Sequence, residues 1–283
     1  SRWTHLEVGL SGPFRYFPTS FFSYLPVSAF DMNQDYFDIL PPDVLVTCGR
    51  KSIAFSLKMK RKYQDSLITV HVQNPVISSS NFDLVIAPRH DRVKGENVIE
   101  TNGAIHSIGE DILNSKKKNT SFCSQLSNKW VTLLIGGESS QHTFKTRDIN
   151  NIVSVVQVLL SSGSRVVMLP SRRTPQHTVD KLFELSKKNP TSTLCWNRIG
   201  PSPYAEALSG SSHILVTEDS ISMISEACST GKPVMILPIS KKRKSVRFDR
   251  FFSTIYEKDV ARKWSGSLET WSAKPLNDLK NVT

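Results

Sequence analysis

Between residues 130 and 237, short apolar runs alternate with amphipathic stretches, and this alternation leaves few folds open. Trp130–Ile135, Arg165–Leu169, Thr193–Trp196, His213–Thr217 and Val234–Leu237 read as buried strands. Helical patterns fill the intervals at Thr146–Ser162, Gln176–Lys188, Pro203–Leu208 and Ile221–Ser229. In the first of these, Ile149, Ile152, Val153, Val156 and Leu160 make one stripe, and Gly163 ends it. Strands separated by short helical crossovers pair in parallel, so the pattern predicts a doubly wound α/β sheet.

The first half carries the same rhythm less cleanly. Residues 1–40 are aromatic, irregular and broken by Pro13, Pro18 and Pro26. Strands are then expected at Asp43–Thr47, Leu67–Val72, Phe82–Ala87 and Asn97–Thr101, with a helix running from after Gly49 to about Tyr63. Residues 107–128 are polar and read as a linker or surface excursion. The expected organisation is a Rossmann-like domain over 1–125, a second over 126–245, and a C-terminal helix (Phe248–Lys258) and tail over 246–283 that pack back across a cleft.

A chain of 283 residues is long enough for two such cores without metal or disulfide staples. Its four cysteines show no paired spacing and read as buried thiols of a reducing compartment. No apolar run reaches the ~20 residues of a membrane-spanning helix. The net charge of +11 is uneven, with 22 basic and 13 acidic residues falling in 126–283. That surplus favours anionic partners.

Ligands of open α/β sheets bind at the carboxyl ends of the strands. Gly136, Gly137 and Ser139 follow one strand, Arg172 and Arg173 another, and Ser220 and Ser222 a third, where a helix opens. Glycines admit close backbone approach to an anion, helix N-termini offer unpaired amides, and guanidinium forks grip phosphate. Each has a plainer alternative as turn, cap or solvated loop, and Glu218-Asp219 reads as loop and cap. No acidic pair of DxD type stands out, so no metal site is expected. In the first half, His90-Asp91 is a candidate base-and-orienter pair, with a surface turn as the alternative; His71, Gln73 and Asn74 are further polar candidates.

The stretch Thr217–Pro238, with Ser225-Glu226 and Gly231-Lys232-Pro233, resembles the donor-side motif of glycosyltransferases with two Rossmann-like domains, the GT-B fold. The resemblance implies that Glu226 accepts hydrogen bonds from the ribose of a nucleotide-diphosphate sugar, UDP type, with Ser220 and Ser222 near the diphosphate. A resemblance to the mitochondrial-fission (elongated-mitochondria) family spans nearly the whole chain. It is carried by Pro42–Gly49, His71–Pro75, Phe82–Asp91, Asn97–His106, Ser171–Pro175, Gly200–Tyr204, Thr217–Pro233 and Arg247–Gly266. Bacterial members of that family are labelled nucleoside-diphosphate-sugar epimerases. Members usually open with a strand and a glycine-rich turn that have no counterpart before Trp3, so the first domain is expected to lack its first strand–loop unit.

The function these features imply is glycosyl transfer from a nucleotide sugar to an envelope or lipid-linked acceptor, without a permanently bound cofactor. The alternatives are a nucleotide-sugar epimerase of the same fold and a non-catalytic peripheral adaptor in mitochondrial fission. Lys51, Lys58 and Lys62 line one helix face, and Lys241, Lys242, Arg243 and Lys244 form a run beside Phe248, Phe251 and Phe252. Both basic groups are candidate contacts for an anionic membrane surface; no nucleic-acid reader motif is present. The expected location is cytoplasmic, at the inner face of a membrane, or the mitochondrial outer surface in a eukaryote.

Overall fold

A computed structural model describes residues 3–32, 42–109, 112–113, 122–123, 126, 129–276 and 278. The chain divides into two compact units, 1–101 with 279–283, and 102–278.

In the first unit a short antiparallel pair, β1 (Gly9–Leu10) and β2 (Phe30–Asp31), frames three 3-10 turns. A parallel sheet follows, made of β3 (Val44–Cys48), β4 (Ile68–Val72), β5 (Leu84–Pro88) and β6 (Val98–Thr101), paired in chain order. Gly49 turns the chain from β3 into helix α1 (Arg50–Tyr63) with φ 83°, a left-handed backbone that a side chain would strain. Helix α1 buries Ile53, Ala54, Phe55, Leu57 and Met59, and packs with Phe22, Leu25, Leu67, Phe82 and Val85 in a single core.

The second unit contains β7 (Trp130–Ile135), α2 (Thr146–Ser161), β8 (Val166–Pro170), α3 (Gln176–Lys188), β9 (Thr193–Cys195), α4 (Tyr204–Gly210), β10 (Ser211–Thr217), α5 (Ile221–Cys228), β11 (Val234–Leu237), α6 (Val246–Glu257) and β12 (Arg262–Lys263). Its six strands are all parallel, in the order β9-β8-β7-β10-β11-β12. This is the doubly wound order expected of a Rossmann-like domain. Alternate residues of β7 feed opposite faces. Trp130 and Leu134 pack with α4, α5 and α6, while Val131, Leu133 and Ile135 pack with α2 and α3.

Three expectations are corrected. The division falls at Thr101/Asn102 and not at 125/126. The amide of Ala104 donates to Ser225 Oγ, the amides of Asn102 and Gly103 donate to the Asp278 carboxylate, and Leu113, Cys123 and Leu126 are buried in the second unit's core. The expected 107–128 linker otherwise lies largely outside the described residues. The described part of 246–283 is not a separate piece, because Phe251, Phe252, Ile255 and Leu276 belong to the same core and Arg262–Lys263 adds an edge strand to the sheet. Phe251 and Phe252 are thereby removed from any membrane surface. Finally, Cys48 is exposed, whereas Cys123, Cys195 and Cys228 are buried thiols.

Candidate functional site

Strands β7 and β10 are neighbours, yet the chain leaves β7 toward β8 on one side and β10 toward β11 on the other. The sheet therefore has its topological switch point at their carboxyl ends, where Ile135 and Thr217 finish. Five loops contribute to this edge, and all belong to the second unit.

Its centre is Asp219, whose side chain is wholly buried. Its carboxylate accepts from the Gly137 amide at 2.8 Å and the Thr217 hydroxyl at 2.7 Å, and faces Arg173 Nη2 at 3.4 Å. Burial pushes its pKa up, opposed by those three donors. The Gly136 amide donates to Thr217 Oγ1 at 2.8 Å, and Thr174 Oγ1 donates to the Ile135 carbonyl at 2.9 Å. Side chains are excluded from both glycines. A Cβ on Gly136 would lie 2.0 Å from an Asp219 oxygen, and one on Gly137 would lie 2.0 Å from the Arg173 carbonyl. Gly136 and Gly137 are thus required for close packing against the protein itself. Their amides are committed to Thr217 and Asp219, which corrects the expectation that they face an anion. Asp219, read from the sequence as loop and cap, is the hub of the turn.

The remaining candidates distribute unevenly. Ser139 Oγ accepts from the amides of Gln141 and His142, so it closes a turn. Arg173 also donates to the Glu138 carbonyl at 3.2 Å and is half-exposed, while Arg172 is exposed. Ser220 caps α5, accepting from the Met223 amide at 3.4 Å, and Ser222 is exposed in the first turn. The leading amides of α5 have no intrahelical acceptor and carry the positive end of its dipole. Glu226 lies six residues past that cap, about 9 Å along the axis. Its Oε2 accepts from Tyr204 Oη at 2.6 Å, and burial raises its pKa against that bond. Tyr204, the first residue of α4, thereby orients a half-buried carboxylate.

Sequence reasoning missed more at this edge. Glu218 accepts from the Ile239 amide at 3.1 Å and pairs with Lys241 at 3.2 Å. His142 is 1% exposed, packs edge-on against Phe248 with centroids 5.0 Å apart, and neither ring nitrogen has a hydrogen-bond partner. A lone histidine outside any ligand spacing carries no signal in the sequence. Tyr204 sits in a quoted motif, but its partner is 22 residues away.

In the first unit, His90 and Asp91 form a 3-10 turn with Arg89, and their side chains are 1% and 5% exposed. His90 Nε2 and Asp91 Oδ1 stand 3.8 Å apart, so the pair is interior and the surface-turn alternative does not hold. His71 is also interior. Its Nδ1 shares a hydrogen bond of 2.9 Å with Thr47 Oγ1, its ring stacks on Phe82, and burial lowers its pKa to about 4. Of the basic helix face, Lys58 donates to the Leu25 carbonyl, Lys62 lies over the Tyr63 ring, and both Lys51 and Lys62 are exposed. The Lys241–Lys244 run is exposed throughout, with Lys241 held by Glu218 and Arg243 by Gln141. A cavity of about 630 Å³ in this unit is lined by Thr4–Val8 and by residues from the end of β3 and the start of α1, including Cys48, Arg50 and Lys51. No described helix is long and apolar enough to cross a membrane, and no group of three or more potential metal ligands occurs among the described residues.

Comparison with known proteins bears on fold and family. The model of the mitochondrial fission ELM1 family matches residues 2–283. The chain is 28% identical over 267 residues to mitochondrial fission protein ELM1 of Arabidopsis thaliana, covering 84% of this chain and 61% of that protein's length. It is 26% identical over 313 positions to an uncharacterised protein of Rickettsia prowazekii, covering 94% of this chain and 85% of that one. Among solved structures, UDP-GlcNAc 2-epimerase of Neisseria meningitidis, bound to UDP-GlcNAc, superposes with a TM-score of 0.52 at 17% identity, over 80% of this chain and 64% of that one. At that identity the likeness is one of fold, and it agrees with the expected GT-B-like α/β class.

Proposed function

The chain belongs to the mitochondrial fission ELM1 family, and from that premise we propose that its second unit binds a nucleotide-diphosphate sugar of UDP type and serves glycosyl transfer. One observation carries the reading. A helix whose first amides have no intrahelical acceptor opens at the switch point of a doubly wound sheet, and a half-buried carboxylate, Glu226, is oriented by Tyr204 less than two turns along it. Anions suit the helix start and ribose hydroxyls suit the carboxylate. That a fold relative is described with UDP-GlcNAc bound supports the same ligand class.

In this reading the bond from the anomeric carbon to the diphosphate breaks as the acceptor oxygen attacks. The leaving diphosphate gathers negative charge, which the leading amides of α5 and Arg173 are set to stabilise. The acceptor, lipid-linked or of the cell envelope, would be taken up by the first unit, whose cavity beside Cys48, Arg50 and Lys51 is the candidate. The exposed Lys241–Lys244 run suits work at an anionic membrane face. The Arabidopsis relative, a fission protein by name, favours a second reading, an adaptor that binds a partner and turns over no sugar.

Thermal unfolding with UDP, UDP-GlcNAc and UDP-glucose separates the readings. A ligand at a hundredfold excess over its Kd stabilises by about 2.7 kcal/mol. The expected result is a shift with UDP compounds that Glu226→Ala abolishes. Equal shifts in the variant would remove Glu226 from the ribose. No shift with any of them, in folded protein, would favour the adaptor.

A further inference from the structure

The buried imidazole of His142 is not used by the proposed transfer, and its surroundings give it a role. Its main chain is pinned by the Ser139 hydroxyl at 3.0 Å, by the Ser139 amide at 3.0 Å and by a bridge to Lys241. The ring lies against Phe248 of α6, and both nitrogens are without a hydrogen bond. A buried polar group in that state is costly, and natural structures keep one where something else meets it.

Four charged side chains act on the ring through their charge. Glu218 and Asp219 come from the end of β10, Arg173 from the loop after β8, and Lys241 from the loop after β11. Burial lowers the His142 pKa; Glu218 and Asp219 push it up, and Lys241 and Arg173 push it down. The two acids and two bases pair with one another, Glu218 with Lys241 and Asp219 with Arg173, so their charges cancel. The sign of the cluster is therefore set by the imidazole. A neutral ring leaves these two pairs without net charge, and an imidazolium adds a positive charge to a cluster whose Asp219 directly precedes the Ser220 cap of α5.

We propose that this edge is a proton-linked diphosphate subsite, in which His142 is neutral while the subsite is empty and takes up a proton when a diphosphate binds. The proposal rests on the nucleotide reading above and deepens it. Bound diphosphate charge favours the imidazolium, and by reciprocity the imidazolium favours the diphosphate. Discrimination follows from the same charge: a diphosphate draws the proton in, and an uncharged nucleoside does not.

Titration calorimetry of the full chain with UDP, in two buffers of different ionisation enthalpy and across pH 6 to 8, is the test. Uptake by wild type beyond that of His142→Gln is the readout, because the variant reports the nucleotide's own titration. Wild type is expected to take up a fraction of a proton, at most about one, with UDP affinity rising by up to about tenfold per pH unit toward acid. In His142→Gln the excess uptake and the added pH dependence disappear, and uridine shows neither in either protein. If His142→Gln does not fold, Glu218→Gln provides the second measurement. Removing that carboxylate should move the pH of half-maximal uptake downward. UDP binding with the same uptake in wild type and His142→Gln, or an unmoved profile in Glu218→Gln, overturns the subsite and leaves nucleotide binding standing. No heat with UDP in wild type overturns both.

Discussion

In the second unit every residue of β7, β8 and β11 is buried, whereas in the first Val44, Val46 and Ile68 stand 47%, 63% and 51% exposed on one face of an equally parallel sheet. Helices cover both faces of the larger sheet and form two cores. The smaller sheet has one core, on the side of α1. Parallel sheets are ordinarily covered on both faces. The difference shows in what each unit does with its buried polar groups. The second gathers Asp219, Thr217, Thr174, Glu218 and His142 at one carboxyl edge, while the first disperses His71 and His90 within its interior.

The largest expected contrast comes from truncating a strand residue in each sheet. Leu134→Ala, at a site with no exposed surface, should cost roughly 3–4 kcal/mol, and Val46→Ala less than about 0.5 kcal/mol. Urea midpoints give both numbers; equal losses would mean that the face of Val46 is covered in solution.

Acid should next separate the units through His71. Its folded pKa of about 4 lies below the ordinary 6.5, so the unfolded chain binds the extra proton between those values. Stability of the first unit is then full above about pH 6.5 and falls as the pH drops to about 4, by roughly 3 kcal/mol in total. Unfolding free energies against pH should lose that slope in His71→Leu; an unchanged slope would place the titration elsewhere.

Smallest is the contrast of two turn glycines. At Gly137 a methyl group would strike the Arg173 backbone, which should cost the second unit about 2 kcal/mol in Gly137→Ala. At Gly49 nothing lies within 4 Å, so Gly49→Ala should cost only the left-handed strain, about 1 kcal/mol. Reversal of that order in denaturation midpoints would contradict the packing described for the switch point.

Much of this was legible beforehand. The apolar runs at Trp130–Ile135 and Val234–Leu237 and the helix at Gln176–Lys188 have the bounds that periodicity predicts. The boundary at Thr101/Asn102 was not, because a polar stretch reads as a linker whether or not its few apolar residues, such as Leu113 and Cys123, find a core. Ser222 and Glu226 do lie on one helix, capped by Ser220 at the switch point, where the helical pattern of Ile221–Ser229 put it. The commitment of Gly136 and Gly137 to protein acceptors was hidden, and so was the interior position of His90 and Asp91.

What the sequence determined by itself is the α/β class, the parallel winding of 130–237 and the placing of polar residues at strand ends. These follow from apolar period and from glycine and proline punctuation, which act within a few residues. Tertiary structure alone decided which donors are spent and which remain. Gly136 meets Thr217 across 81 residues and Gly137 meets Asp219 across 82, and only the strand order that sets β7 beside β10 brings them within hydrogen-bond reach. Hydrogen bonding and desolvation depend on neighbours in space, so the chemistry of this edge was set by the fold.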